Sequence, residues 1–117
     1  MANEITVSGS LSFSKNGAKA GLSGSARADV TGSHYIADLA DVGTTDESLS
    51  KGDIGTIGWC AFKNLDEDNY VSIGTDGSTY PIVLKAGEFI TLRWNAAAVH
   101  AKANTASVQL EYLMVEA

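Results

Sequence analysis

The 117-residue chain holds one cysteine, Cys60, and one proline, Pro81, and aromatic residues fill only 8% of it. A lone cysteine closes no internal disulfide and builds no Cys-type zinc site. Long uncharged runs are also missing. The longest, Ile5 to Ser14, has ten residues, whereas a bilayer-crossing helix needs ~18–20 apolar ones. Met1-Ala2-Asn3-Glu4 has neither a basic segment nor an apolar run, so no secretory leader is expected. No glycine-rich strand-to-helix loop is present, which leaves phosphate cradling without a candidate. Positive charge is scarce: 8 basic residues face 14 acidic ones, for a net charge of −6. Nucleic-acid binding rests on neutralising phosphates with Lys and Arg, so neither nucleic acid nor a membrane is an expected partner.

The charge is unevenly spread. The window Asp38 to Asp76 carries −7 and the rest +1. Solvated loops are the expected reading of that acidic middle. A calcium site or an acidic docking patch is the alternative. Apolar residues make up 44% of the chain, enough for one sizeable core. Residues 1–117 are therefore expected to form a single β-sandwich domain, with 1–14 as an N-terminal arm or edge strand.

Two-residue alternation dominates the pattern. Ile5, Val7, Gly9, Leu11 and Phe13 share one parity and Thr6, Ser8, Ser10, Ser12 and Ser14 the other, which predicts a half-buried strand. Lys15-Asn16-Gly17 signals a turn. A small-residue strand, Ala18 to Val30, follows, and then one over His34 to Val42. Thr44 and Glu47 have capping-box spacing, which predicts one helical turn through Leu49. Ile54 to Lys63 is the most strand-like run and is expected to be central, with Ile57, Trp59 and Ala61 on one face and Cys60 and Phe62 on the other. Tyr70–Gly74 and Thr79–Leu84 flank Asp76-Gly77, which suits a type I′ hairpin turn. Pro81 favours an edge position for the second of them. Glu88–Trp94 and Ser107–Val115 complete the strands, the last burying Val108, Leu110, Tyr112 and Met114. Ala98–Ala103 reads as a poor strand. The sum is an all-β, antiparallel β-sandwich of eight or nine short strands.

Candidate chemistry is sparse. His34 and His100 lie in no nucleophile motif, and the strand context of Cys60 makes it a core thiol. A small hydrolase using Cys60 or a histidine is the enzymatic alternative. Asp66–Asn69 groups calcium-type oxygen ligands without the twelve-residue loop pattern, so an Asx turn is expected there. Trp59 and Trp94 would stack sugars if exposed, and alternation places both in the core.

Three segments carry a resemblance. Gly58-Trp59-Cys60-Ala61-Phe62-Lys63-Asn64-Leu65-Asp66 leads into Asn69-Tyr70-Val71-Ser72-Ile73-Gly74. Tyr80-Pro81-Ile82-Val83-Leu84-Lys85-Ala86-Gly87-Glu88 precedes the Leu92-Arg93-Trp94 strand, and Val108-Gln109-Leu110-Glu111-Tyr112-Leu113-Met114-Val115-Glu116 ends the chain. From roughly Tyr35 to Glu116 this order resembles small structural proteins of tailed bacteriophage virions. The resemblance implies a jelly-roll-like sandwich with no catalytic residues; the residues themselves lead to no expected cofactor or metal. It implies a decoration or cement protein on the outer capsid surface of the virion, made in the host cytoplasm. The implied partners are the major capsid protein and further copies of itself, as a homodimer or homotrimer. Ala2–Phe13 and the acidic middle loops are the expected contact segments. The alternative role is a tail-tip or fibre domain that binds a host surface glycan.

Overall fold

A computed structural model describes residues 4–117. Ala2 and Asn3 of the expected arm lie outside the described residues. The chain is all-β and antiparallel, and no helix occurs among the described residues. None is therefore long and apolar enough to cross a membrane. Two compact units divide the chain, one running to Thr31 and the other from Gly32 to Ala117.

The first unit is a hairpin of β1 (Ile5–Lys15) and β2 (Ala18–Ala28), paired in register from Ile5↔Ala28 to Lys15↔Ala18. Its two-residue turn is Asn16-Gly17, both at positive φ (52° and 83°), which matches the right-handed twist of the flanking strands. The alternation predicted for β1 is real, but its burial is not as expected. Only Ile5 and Val7 are half-buried, while Leu11 is 74% and Phe13 54% exposed. Periodicity reports which side chains share a face; it does not report whether anything covers that face.

The second unit has eight strands: β3 (Tyr35–Val42), β4 (Glu47–Ser48), β5 (Ile57–Asn64), β6 (Val71–Gly74), β7 (Ile82–Leu84), β8 (Phe89–Arg93), β9 (His100–Ala103) and β10 (Val108–Glu116). They form two four-stranded sheets, in the orders β3-β10-β5-β8 and β4-β9-β6-β7. Four pairings nest like one long hairpin with residues 75–81 at its tip: β6 with β7, β5 with β8, β4 with β9, and β3 with β10. Two further pairings, β10 with β5 and β9 with β6, roll that ribbon into the two sheets. The inward faces share one core, in which Phe62, Ile73, Leu110, Met114, Val42 and Val99 are fully buried. Phe62 and Trp94 meet edge to face with ring centroids 5.8 Å apart, a geometry that aromatic quadrupoles favour.

Several local expectations need correction. Glu47 is not in a helical turn. It opens β4, its carboxylate accepts from Gly43 N at 2.7 Å, and Leu49 N donates to Val99 O. The spacing that suggested a cap instead closes a tight loop between strands. Asp76-Gly77 is not a type I′ turn, because Gly77 is not among the residues with positive φ. Asp76 Oδ1 instead accepts from Ser78 N and Thr79 N, which makes a wider Asx-capped loop. The poor strand at Ala98–Ala103 is β9, an interior strand whose Ala101 and Ala103 are buried. The central position of β5 and the edge position of β7 stand as expected, and so does the buried parity of β10.

Candidate interaction surface

Alternation on β5 splits its residues cleanly. Cys60, Phe62 and Asn64 point into the core, while Trp59, Ala61 and Lys63 point outward. Ile57 also reaches the core, because the register shifts by a bulge between Met114 and Glu116. Trp59 is therefore not a core residue, contrary to expectation. It is half-buried, with the Arg93 guanidinium 5.2 Å from its ring centroid. Its Nε1 is buried without a hydrogen-bond partner. Trp94 is buried as expected, its Nε1 donating to Ala98 O at 2.9 Å.

Register then assembles the outer face of this sheet row by row. Leu39, Glu111, Lys63 and Phe89 are cross-strand neighbours, as are Ala37, Leu113, Ala61 and Thr91. Tyr35 faces Val115 one row further on. Phe89 is 65% exposed, Tyr35 70% and Leu39 51%, and Leu113 is also exposed. An open depression of about 620 Å³ lies over this face, floored by Ala37, Ala61 and Leu113 and walled by Leu39 and Phe89. A mixed apolar and aromatic surface with charges at its rows has the composition of a protein-contact face. The apolar residues on the outward parity of β3, β8 and β10 were the signal for it in the sequence.

Elsewhere in this unit, hydrogen bonds gather ionisable side chains into two clusters. Glu116 accepts from Gly55 N at 2.7 Å, from Ser33 N at 3.0 Å, and from the His34 ring at 3.0 Å. These donors, Gly55 N first and then His34, hold its pKa down at about 2. The second cluster gathers Asp46, Tyr80 and His100. Tyr80 OH donates to Asp46 Oδ1, and His100 Nδ1 lies 2.9 Å from Asp46 Oδ2. The Tyr80 bond, then the His100 bond, depresses the Asp46 pKa, while Asp46 pushes the Tyr80 phenol up to about 12. Lys102 Nζ stands 5.3 Å from the Tyr80 ring centroid.

Each histidine is thus paired with a carboxylate. Cys60, the possible nucleophile, is buried with its Sγ donating to Gly58 O at 4.0 Å, and burial pushes its thiol up to about 12. Asp66 caps a loop: its Oδ2 accepts from Asp68 N and Asn69 N. Among the described residues, no group of three or more His, Cys, Asp or Glu side chains is placed to hold a metal ion. Asn64 is a residue whose importance the sequence did not reveal. Fully buried, it donates through Nδ2 to Asn69 O and Leu84 O and accepts at Oδ1 from Asp66 N.

The hairpin presents a second surface. Ile5, Val7, Leu11 and Phe13 on β1 stand opposite Ala28, Ala26, Leu22 and Ala20 on β2, with Gly9 opposite Gly24. Every residue on that face is apolar or glycine except Lys15, which stands opposite Ala18 beside the turn. The other face pairs Thr6 with Arg27, Ser8 with Ser25 and Ser10 with Ser23.

No known protein family matches this chain, and no curated protein or solved structure matches it either.

Proposed function

We propose that the chain is a non-catalytic structural protein of a bacteriophage virion, a decoration or cement protein that binds the major capsid protein on the outer capsid surface. The observation that carries the reading is the outer face of the β3-β10-β5-β8 sheet. Tyr35, Leu39, Phe89 and Leu113 stand exposed there on a rigid pleated frame. Surface apolar groups so arranged are worth most when another protein covers them. Aromatic anchors and an arginine, Arg93 beside Trp59, are the side chains that dominate contact energies. The nested pairing of eight strands in two antiparallel sheets supports reading the sandwich as a jelly roll, the fold that the resemblance to virion proteins implies. The second unit, which bears this face, carries −7, and a negative exterior does not trap packaged DNA.

The mechanism is distributed contact. Each protomer bridges neighbouring capsid subunits, and many weak identical contacts add through avidity across a repeating shell. The test mixes the purified protein with undecorated phage heads and measures co-sedimentation and the temperature at which the heads release DNA. The reading predicts saturable pelleting and a raised release temperature. A supernatant that keeps all the protein overturns it, and glycan binding in a sugar screen would favour the tail-fibre role instead.

A further inference from the structure

We infer that the apolar face of the β1-β2 hairpin packs against the same face of another copy of this chain. Within the described residues β1 and β2 pair only with each other. A two-stranded ribbon on its own is marginal in water, and a hydrophobic face needs a cover to hold it. Here Leu11 and Leu22, which are cross-strand partners, are 74% and 79% exposed.

The face is built to fit itself. Its β1 row is bulky and its β2 row is small, apart from Leu22. Turned about a twofold axis, the bulky row of one copy lies over the small row of the other, as an isologous contact requires. Gly9 opposite Gly24 opens a notch midway along the face. Charge favours the same occupant. The unit ending at Thr31 carries +1 and the rest of the chain −7, so copies meet with least repulsion through their hairpins. The partner face must also be nearly free of charge, because this one carries only Lys15, at its turn end.

Area sets the strength. Eleven residues per strand and two strands give a face roughly 35 Å long and about 10 Å wide, so a pair buries about 700 Å² of footprint, below the ~1,200 Å² of a tight complex. Free copies therefore associate weakly, and the contact becomes strong where copies are held side by side. Only that last step rests on the proposed capsid role.

The test is sedimentation velocity of the full chain from ~10 µM to ~500 µM, a range that brackets weak association. The expected result is a rising weight-average mass for the native chain and monomer throughout for Leu11→Ser/Leu22→Ser. Ser10→Ala/Ser23→Ala, on the opposite face, should associate like the native chain. A native chain that stays monomeric over the whole range overturns the inference. So does a Leu11→Ser/Leu22→Ser variant that associates as strongly. Pelleting of the native chain, but not this variant, with phosphatidylcholine vesicles would assign the face to a bilayer and also overturn it. Head binding is read separately by co-sedimentation, so either idea fails without the other.

Discussion

Glu116 ties two loop segments to β10 through one carboxylate, reaching Gly55 N in one and Ser33 N and the His34 ring in the other. Its pKa falls from an ordinary 4.5 to about 2. A carboxylate with a depressed folded pKa adds stability above its unfolded pKa, and that stability is lost as pH falls through the folded value. Melting temperature should therefore drop between about pH 4.5 and about pH 2, and Glu116→Gln should flatten the drop in a thermal scan at stepped pH. Asp46, Asp66 and Asp76 shift in the same direction and should add to the acid loss. Asn64 gives a sharper test. Removing its side chain orphans the buried Leu84 carbonyl and loosens the Asp66–Asn69 loop. Asn64→Ala should cost about 2–4 kcal/mol in urea denaturation. Nothing in the Lys63-Asn64-Leu65 sequence marks the middle residue as buried. Its two carbonyl partners, Asn69 in a loop and Leu84 at the end of β7, lie 5 and 20 residues further on, and such contacts leave no local pattern.

At the scale of elements, the sequence reads well where one face is buried and the other wet. In β10, Val108, Leu110, Tyr112 and Met114 alternate strictly and are buried. It reads poorly where burial comes from neighbours rather than side-chain size. β9 is interior although its inward residues, besides Val99 just before it, are alanines. β4 is two residues long, too short to show any period, so its polar flanks looked like a helix cap. The contact face was half legible. Apolar residues on the outward parity of β3 and β10 were visible, but only the register Leu39↔Glu111↔Lys63↔Phe89 shows that they adjoin. The tip of the folded ribbon is tight as well. Gly74 is buried where an added Cβ would run into the Thr79 carbonyl. Gly74→Ala should therefore displace the loop between β6 and β7 and lower stability by more than about 2 kcal/mol in the same urea assay.

For the whole molecule, the sandwich supplies stiffness, and in the proposed role the outer face of the β3-β10-β5-β8 sheet supplies contact. One core links both sheets, so a face built on four paired strands keeps its shape without a partner, and binding costs little ordering. The charged and hydrogen-bonded groups mostly secure loops: Glu116, Asp66 and Asp76 each hold two or more backbone amides. That division of labour leaves the exterior of β3, β10, β5 and β8 to the proposed contact role. The measurement that tests it most directly is the binding isotherm of native chain and Leu39→Asp/Phe89→Asp on undecorated heads, with melting temperatures recorded in parallel. Both substituted residues are exposed, so the two proteins should melt within a few degrees of each other. The account predicts saturable binding of the native chain and at least about a tenfold loss for the double variant, in line with the removal of two contact anchors. Equal binding by the two proteins, or binding by neither, would contradict it.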